Sequence, residues 1–166
     1  MTRAPSFTQL VPDGDSLPRA VCDQCGFIAY DNPKIVVGAV VRQGSQILMC
    51  RRAIEPSRGL WTIPAGYLEH GETPEEGARR EAYEEATADI ELESLLAIYA
   101  IRRIGQVQLI YRARLREPAF APGPESLAVR LFDEDALPRD SLAFSSVDWA
   151  LRHERQRGGP FVNPPE

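Results

Sequence analysis

The chain has 166 residues, of which 43% are hydrophobic and 26% charged, with a net charge of −5 and a pI of about 5.2. This composition is typical of a soluble globular protein and excludes a disordered or fibrous chain. An acidic chain has no general attraction for nucleic acid or anionic lipid, so an anionic substrate requires a bound cation or a basic pocket.

Apolar runs and cysteines indicate the compartment. No run approaches the length of a membrane span, and the first fifteen residues lack the apolar core of a signal peptide. Three cysteines, an odd number, favour a reducing compartment over a disulfide framework. We therefore expect a cytoplasmic domain with no membrane and no nucleic-acid partner.

The first half of the chain predicts an arm followed by strands. Residues 1–20 are rich in proline and polar residues and lack hydrophobic periodicity, which predicts an arm or small appendage. Two apolar, β-branched runs follow within residues 34–53, and the Gln43-Gly44-Ser45 turn signal between them indicates a hairpin. A short strand then breaks into a loop at Pro64.

A helix is predicted from about Pro74 to Ala86. Thr73 is placed to cap it, Pro74 fits its first turn, and Glu76 completes a capping box. Further strands are predicted at residues 90–101, 105–117 and 127–135, and a second helix at 145–157. Strands on both sides of one strong helix predict a mixed sheet with helices packed on its faces.

The first helix gathers carboxylates on one edge. At about 100° per residue, Glu81, Glu84 and Glu85 lie within about 100° of arc. A stripe of alanines beside them lets the helix approach a sheet closely, and the acids then repel one another as they lose water. Mg²⁺ or Mn²⁺ relieves that repulsion, because hard divalent cations prefer oxygen ligands. The alternative is an ordinary solvated helix with salt bridges, the commoner role of a charged run.

The frame around these acids resembles the Nudix box, G-x5-E-x7-R-E-U-x-E-E-x-G-U, where U is a bulky aliphatic residue. Its glycine and charged positions are filled in register by Gly66, Glu72, Arg80, Glu81, Glu84 and Glu85. Thr87 stands where the last glycine is expected, which predicts an altered turn after the helix. The flanking segments, over roughly residues 21–151, are similar to a Nudix subfamily of dinucleotide pyrophosphatases acting on ADP-ribose and FAD.

The resemblance implies an α/β Nudix fold, a mixed β-sheet sandwiched between helices, with a short N-terminal β-hairpin or arm. It divides the chain into an arm with a degenerate ribbon hairpin at 1–33, a Nudix hydrolase domain at 34–155 and a C-terminal tail at 156–166. We expect the tail to be disordered or to lie over the surface.

The resemblance also implies metal-dependent hydrolysis of a pyrophosphate bond in a nucleoside diphosphate linked to another moiety. Glu81 and Glu85 are the expected metal ligands, with the main-chain carbonyl of Ala65 completing the shell. Glu84 is expected to share in the metal site or to handle the water. Arg80 is expected to orient a ligating carboxylate.

Other residues are expected to support the site. Gly66 and Glu72 are structural positions of the box, and Glu72 is expected to brace the loop against Arg80. Glu125, on a late loop, is the candidate general base, and a solvated loop acid is an equal alternative. His70 lies in the loop beside the acids and is a weaker candidate for touching phosphate.

The sequence identifies substrate-binding residues less clearly than it identifies the metal ligands. Arg51 and Arg52 alternate across a strand, so only one faces a phosphate, and Arg52 is the preferred candidate. Trp61 is a candidate for stacking on a base, although a tryptophan in a strand more often belongs to the core. A wall of the nucleotide pocket is predicted from Gln106, Gln108 and Tyr111, each equally plausible as surface or core.

The cysteines suggest a second class of function. Cys22 and Cys25 form one Cys-x-x-Cys knuckle, whereas relatives of this kind often begin with a zinc ribbon of two knuckles. A tetrahedral structural zinc needs four ligands, and Cys50 is expected to be a small core residue. His153 is expected at the surface of the last helix. We therefore expect a degenerate ribbon stabilised by packing, without zinc.

Three classes of function compete. They are a metal-dependent pyrophosphatase, a non-catalytic Nudix scaffold that binds nucleotide or protein, and a nucleic-acid-binding ribbon. The retained, mutually repelling acids favour the first, with FAD or ADP-ribose cleaved to give AMP. Nucleoside triphosphates or capped RNA are the alternative substrates. Relatives of this kind are commonly homodimers, and we expect a homodimer here because the arm and the sheet edges need cover.

Overall fold

The computed structural model describes residues 4–164. The chain forms two compact units, Met1–Pro33 and Lys34–Glu166. No helix within the described residues is long and apolar enough to cross a membrane.

The N-terminal unit is a three-stranded antiparallel sheet. Its strands are β1 (Phe7–Leu10), β2 (Arg19–Cys22) and β3 (Ile28–Ala29). Asp15 orders the connection before β2, because its carboxylate accepts the N–H of Ser16 at 2.7 Å and that of the Arg19 guanidinium at 2.9 Å. The sequence predicted the hairpin but missed β1, because all four residues of that strand are exposed and show no alternation.

The second unit is built on a seven-stranded mixed sheet. Its strands are β4 (Lys34–Gln43), β5 (Gln46–Arg52), β6 (Trp61–Thr62), β7 (Ala65–Tyr67), β8 (Ile90–Ile101), β9 (Gln106–Leu115) and β10 (Ser126–Asp133). The strand order is β10-β5-β4-β9-β8, with β6 paired to β5 and β7 paired to β4. The pair β4–β9 is parallel and the other pairs are antiparallel. The predicted mixed sheet is confirmed.

One helix packs on each face of this sheet. Alternate residues of β4 point to opposite faces, so Val37 contributes to the core beneath α1 (Pro74–Ala86) and Val40 to the core beneath α2 (Ser145–Glu154). The alanine stripe of α1 is fully buried. Gly77 on α1 also permits a close approach, since an added Cβ would lie 2.9 Å from Val37. The predicted α/β fold, a sheet sandwiched between helices, is confirmed.

The C-terminal segment lies along the edge of β8. The N–H of Phe161 donates to the carbonyl of Leu96, and the N–H of Ile98 donates to the carbonyl of Phe161, each at 2.8 Å. The Phe161 ring stacks on His153 with centroids 4.5 Å apart. Hydrogen bonds to the edge strand therefore order this part of the tail.

His153 is partly buried, and its predicted surface position is wrong. Its Nδ1 lies 2.8 Å from the hydroxyl of the fully buried Tyr99, and its ring lies between Tyr99 and Phe161. Burial lowers the pKa of His153 below its ordinary value. The expectation failed because Tyr99 is distant in sequence, and because Phe161, eight residues after His153, reaches the ring by pairing with the edge of β8.

We predict that His153 makes the protein less stable as pH falls. Because its folded-state pKa is lowered from 6.5, the unfolded chain binds the proton more readily, and stability is lost as pH falls below about 6.5. His153→Phe keeps a stacked ring without a titrating group. Urea unfolding at about pH 7.5 and 5.5 should show a smaller loss of stability in the variant than in the wild type. Equal losses would contradict the assignment, and His70→Phe, at an exposed position, serves as the control.

Candidate functional site

The start of α1 fixes which helix face meets the sheet. The Thr73 hydroxyl accepts the N–H of Glu76 at 3.2 Å, and the Glu76 carboxylate accepts the N–H of Thr73 at 2.8 Å. This is the predicted capping box. With the alanine stripe against the sheet, Glu81 and Glu85 are buried at the edge of the seam and Glu84 is exposed.

Strand β7 presents backbone directly to these acids. The N–H of Ala65 donates to Oε2 of Glu85 at 3.1 Å. A Cβ added to Gly66 would collide with the carboxylate of Glu81. Glycine at position 66 lets the strand pass this close without displacing that carboxylate, which is a physical reason for the first glycine of the box.

Arg80 binds the acids around it. Its Nη1 donates to Glu81 at 2.7 Å and to Glu84 at 2.9 Å. Its Nε and Nη2 donate to Glu72 at 3.1 and 2.7 Å, and Nη2 also donates to the carbonyl of Tyr67 at 2.9 Å. Burial raises the pKa of Glu81 above its ordinary value, and the hydrogen bond from Arg80 opposes this shift. One guanidinium thus joins the helix to the preceding loop.

Within residues 4–164, no arginine or lysine side chain donates a hydrogen bond to Glu85. Burial raises its pKa to about 8, against the hydrogen bond from Ala65. Repulsion from Glu81 and Glu125 raises the pKa further, and attraction to Arg52 lowers it. In the absence of a further positive charge, the ionised form of Glu85 is therefore disfavoured.

A loop docks on the C-terminal end of α1. Thr87 adopts the left-handed conformation, with φ of 47°, and its hydroxyl donates to the carbonyl of Ala121 at 2.7 Å. The N–H groups of Ala121 and Gly123 donate to the carbonyls of Ala86 and Glu85 at 2.8 and 3.0 Å. The turn is therefore of the kind that glycine favours, and the altered turn expected from Thr87 is not observed.

The donor set suits a hard divalent cation. Glu81, Glu84, Glu85 and the backbone of Ala65 line one cavity and supply oxygen donors, which Mg²⁺ and Mn²⁺ prefer. Among residues 4–164, no three His, Cys, Asp or Glu side chains are arranged as a ready metal site. Arg80 donates hydrogen bonds to Glu81 and Glu84. The residue types fit a cation, and its binding requires those carboxylates to leave or share the guanidinium.

The cavity beside the acids has a volume of about 1090 Å³. Of the predicted residues, Arg52, Gln106, Gln108 and Glu125 line it. The Arg52 guanidinium donates to the carbonyl of Pro56 at 2.8 Å, and Glu125 is exposed. The cavity thus brings predicted metal, base and substrate candidates together.

Two predicted substrate residues lie outside the cavity lining, which corrects the expectation. Tyr111 is on the other face of β9 from Gln106, buried beneath α1, and its hydroxyl donates to Glu75 at 3.1 Å. Trp61 packs edge-to-face on Phe132, with centroids 4.9 Å apart. Strand parity explains Tyr111, because residues 106 and 111 differ by an odd number.

Helix α2 contributes to the cavity, which the sequence did not predict. Phe144, Ser146 and Trp149 line the cavity from the start of this helix. The apolar pattern of α2 indicates a packed helix and does not show which turn borders a cavity. No local motif marks these residues.

The cysteines of the N-terminal unit are free thiols, and Cys22 is buried whereas Cys25 is exposed. Hydrogen bonds from the backbone N–H groups of Gln24 and Cys25 lower the pKa of Cys22. Cys50 belongs to the core beneath α1, where burial raises its pKa. Its expected core position agrees with this burial.

Comparison with known proteins identifies two matching families. The family model described as NUDIX domain matches residues 32–151. A zinc-ribbon family model described as Nudix N-terminal matches residues 5–31, a segment in which Cys22 and Cys25 are the cysteines and histidine is absent.

Individual proteins are similar over most of the chain. A "MutT-like protein" of Streptomyces ambofaciens is 36% identical over 135 residues, covering 78% of this chain and 86% of the relative. An "ADP-ribose pyrophosphatase" of Methanocaldococcus jannaschii is 28% identical over 134 residues, covering 78% of each. The crystal structure of a NUDIX hydrolase from Nitrosomonas europaea has a TM-score of 0.88 at 41% identity, covering 94% of this chain and 92% of that one.

We predict that Glu85→Gln raises the melting temperature in EDTA by at least about 2 °C. The amide still accepts the N–H of Ala65, and it removes a charge that burial disfavours. Mg²⁺ should stabilise the wild type and not the variant. Differential scanning calorimetry with and without Mg²⁺ checks both effects, with the exposed Glu93→Gln as the matched control. Equal stabilisation of wild type and Glu85→Gln by Mg²⁺ would contradict a metal site at Glu85.

Proposed function

This chain is a Nudix hydrolase, and we propose that it cleaves the pyrophosphate of FAD or ADP-ribose and releases AMP. The observation that carries the proposal is the buried pair Glu81 and Glu85, lining a cavity of about 1090 Å³. Pockets for drug-sized ligands range from about 300 to 1,000 Å³, so this volume accommodates a dinucleotide or a sugar diphosphate of a nucleoside.

The similarity to an ADP-ribose pyrophosphatase supports this choice of substrate class. The acidic chain supports a metal-dependent reaction, because a diphosphate next to several carboxylates is repelled unless a cation neutralises it. Nudix hydrolases generally use divalent metal ions.

The proposed ligands are Glu81, Glu85 and the carbonyl of Ala65, with Glu84 sharing in the site, and the proposed ion is Mg²⁺ or Mn²⁺. Bound there, the ion neutralises diphosphate charge, orients it and lowers the pKa of water. Arg80 orients Glu81 and Glu84 through its hydrogen bonds and is itself held by Glu72. Arg80 is thus a positioning residue in this proposal.

Glu125 and Glu84 are the proposed groups that accept the proton of the attacking water. Both border the cavity and both are exposed, so either can exchange that proton with solvent. Glu84 shares one oxygen with Arg80, whereas Glu125 is carried by the loop that docks on the end of α1. The water oxygen then bonds to phosphorus, the bridging P–O bond breaks, and the departing phosphate takes the electron pair. Arg52, lining the cavity, holds phosphate oxygens.

Hydrolysis of nucleoside triphosphates is the second candidate, because the same cavity and carboxylates can hold a triphosphate. Capped RNA is a weaker alternative, because the net charge of −5 repels a long polyanion. A scaffold that only binds nucleotide or protein has no need of a buried, repelling acid pair.

We further propose a cytoplasmic homodimer without zinc. The three free thiols agree with a reducing compartment. Large apolar side chains are exposed on the N-terminal unit, including Phe7, Leu10 and Phe27, and a second copy would cover them. We attribute the zinc-ribbon match to the three-stranded fold of this unit, since the matched segment supplies two of the four ligands that structural zinc needs.

We predict that AMP is a product. With Mg²⁺ or Mn²⁺, FAD should give AMP and FMN, and ADP-ribose should give AMP and ribose 5-phosphate, as identified by chromatography and mass spectrometry. Glu85→Gln should lower turnover by at least about a hundredfold, because it removes an anionic ligand of the metal, and Glu93→Gln should not. Turnover of nucleoside triphosphates alone would contradict the proposed substrate and would still agree with the proposed metal site. No turnover of any of these substrates would favour the binding scaffold.

We predict much less than one zinc ion per chain in protein purified without added metal. Elemental analysis measures it directly. Replacing Cys22 and Cys25 by serine should leave turnover within about twofold, since two thiolates do not complete a tetrahedral site. Stoichiometric zinc that is lost in the double variant would contradict the prediction.

A further inference from the structure

Three neutral polar side chains form a hydrogen-bonded series on the wall of the cavity. The hydroxyl oxygen of Tyr67 accepts from Nε2 of Gln106, and Oε1 of Gln106 accepts from Nε2 of Gln108, each at 3.2 Å. A primary amide has two N–H donors and one carbonyl acceptor. Within residues 4–164, no other hydrogen bond engages the Gln108 amide, so it retains one donor and its acceptor for a ligand.

Trp149 is the aromatic side chain of the cavity that remains available for stacking. Three aromatic residues among the described ones line it, namely Tyr67, Phe144 and Trp149. The amine of Lys34 lies over the Tyr67 ring at 5.4 Å, and the Arg52 guanidinium lies over the Phe144 ring at 5.2 Å. No cation covers Trp149 among these residues, and its indole is only partly buried.

Trp149 and Gln108 are neighbours through Tyr99. Tyr99 of β8 pairs directly with Gln108 of β9 in the antiparallel register, which places their Cβ atoms about 5 Å apart on one face. The ring of Tyr99 also contacts Trp149 edge-to-face, with centroids 5.5 Å apart. Because Tyr99 is fully buried, it supports the indole, and Trp149 and Gln108 both line the cavity.

The distance from Gln108 to the carboxylate of Glu81 matches the length of one nucleotide. Val36 of β4 pairs with Tyr67 on one side and with Gln108 on the other. Gln108 therefore lies two strand spacings, about 10 Å, from Tyr67, and Gly66 next to Tyr67 is packed against the carboxylate of Glu81. A nucleoside 5′-phosphate covers this length.

We propose that Trp149 and Gln108 form the subsite for the adenine ring of the substrate, an inference that rests on the proposed function. A glutamine amide pairs with adenine through two hydrogen bonds, to N6 and N7, and an indole stacks on the base. Gln106 and Tyr67 are positioning residues, because they fix the Gln108 amide through the hydrogen-bonded series. The subsite selects the adenosine half of FAD or ADP-ribose, and the rest of the substrate extends toward the carboxylates of Glu81 and Glu85.

Tryptophan fluorescence tests the subsite without metal or turnover. The chain has two tryptophans, so Trp61→Phe leaves Trp149 as the reporter and Trp149→Phe leaves Trp61. Adenosine, which has no phosphate and needs no metal, is titrated into each protein in EDTA. We expect it to quench the emission of Trp149 and to leave that of Trp61 unchanged. Cytidine should bind at least about fivefold more weakly.

Matched glutamine variants distinguish a loss of adenine recognition from a loss of structure. In the Trp61→Phe background, Gln108→Leu should weaken the binding of adenosine at least about fivefold. Gln46→Leu removes a glutamine that donates a hydrogen bond to Asp133 outside the cavity. This variant should not weaken the binding of adenosine. No quenching of Trp149 by several millimolar adenosine, or equal weakening by both variants, would overturn the subsite. Because no turnover is measured, either result leaves the proposed reaction untouched.

Steady-state kinetics give the second measurement. Trp149→Leu should raise the KM of the adenine-containing substrate about tenfold and leave kcat within about twofold, since stacking on the base binds ground state and transition state alike. A fall in kcat at unchanged KM would overturn the assignment.

Discussion

The carboxylate of Glu85 is buried between α1 and β7 with the N–H of Ala65 as its hydrogen-bond donor. Burial is the largest cause that disfavours this charge, and it raises the pKa to about 8 together with repulsion from neighbouring carboxylates. The carboxylate is nevertheless held there by features that serve other needs, namely the capping box, the alanine stripe and the glycine of β7. The geometry of the site is therefore a consequence of how one helix packs on one sheet.

Arg80 divides the acids into two groups. It donates hydrogen bonds to Glu81 and Glu84, whereas the donor to Glu85 among residues 4–164 is the backbone N–H of Ala65. The guanidinium is also anchored by Glu72 and by the carbonyl of Tyr67, so its hold on the loop is independent of the two helix acids. A cation that binds Glu81 and Glu84 therefore breaks the bonds from Arg80 to these two acids. The bonds from Arg80 to Glu72 and Tyr67 remain and keep the loop in place.

The sequence predicted what local spacing determines. The cap at Thr73, the extent of α1 and the carboxylate edge follow from spacings within one helix, and all are present. The family and the fold class followed from the same box and are confirmed.

Features that depend on the register of distant segments were not predicted. The sequence identified β9 but not its cavity face, so Gln106 and Tyr111 were grouped although they point to opposite sides. Trp149 had no motif to distinguish it from a core residue. His153 became partly buried because Phe161, eight positions later, pairs with a strand edge. Each outcome depends on tertiary packing that periodicity does not encode.

The most direct measurement is the location of Mn²⁺ by anomalous scattering in a crystal of the full chain. We predict a peak coordinated by the carboxylates of Glu81 and Glu85 and the carbonyl of Ala65. Nη1 of Arg80 should be displaced from Glu81, and the hydrogen bonds from Arg80 to Glu72 should remain. A fully occupied peak elsewhere, with the Arg80 bonds to Glu81 and Glu84 unchanged, would contradict this prediction.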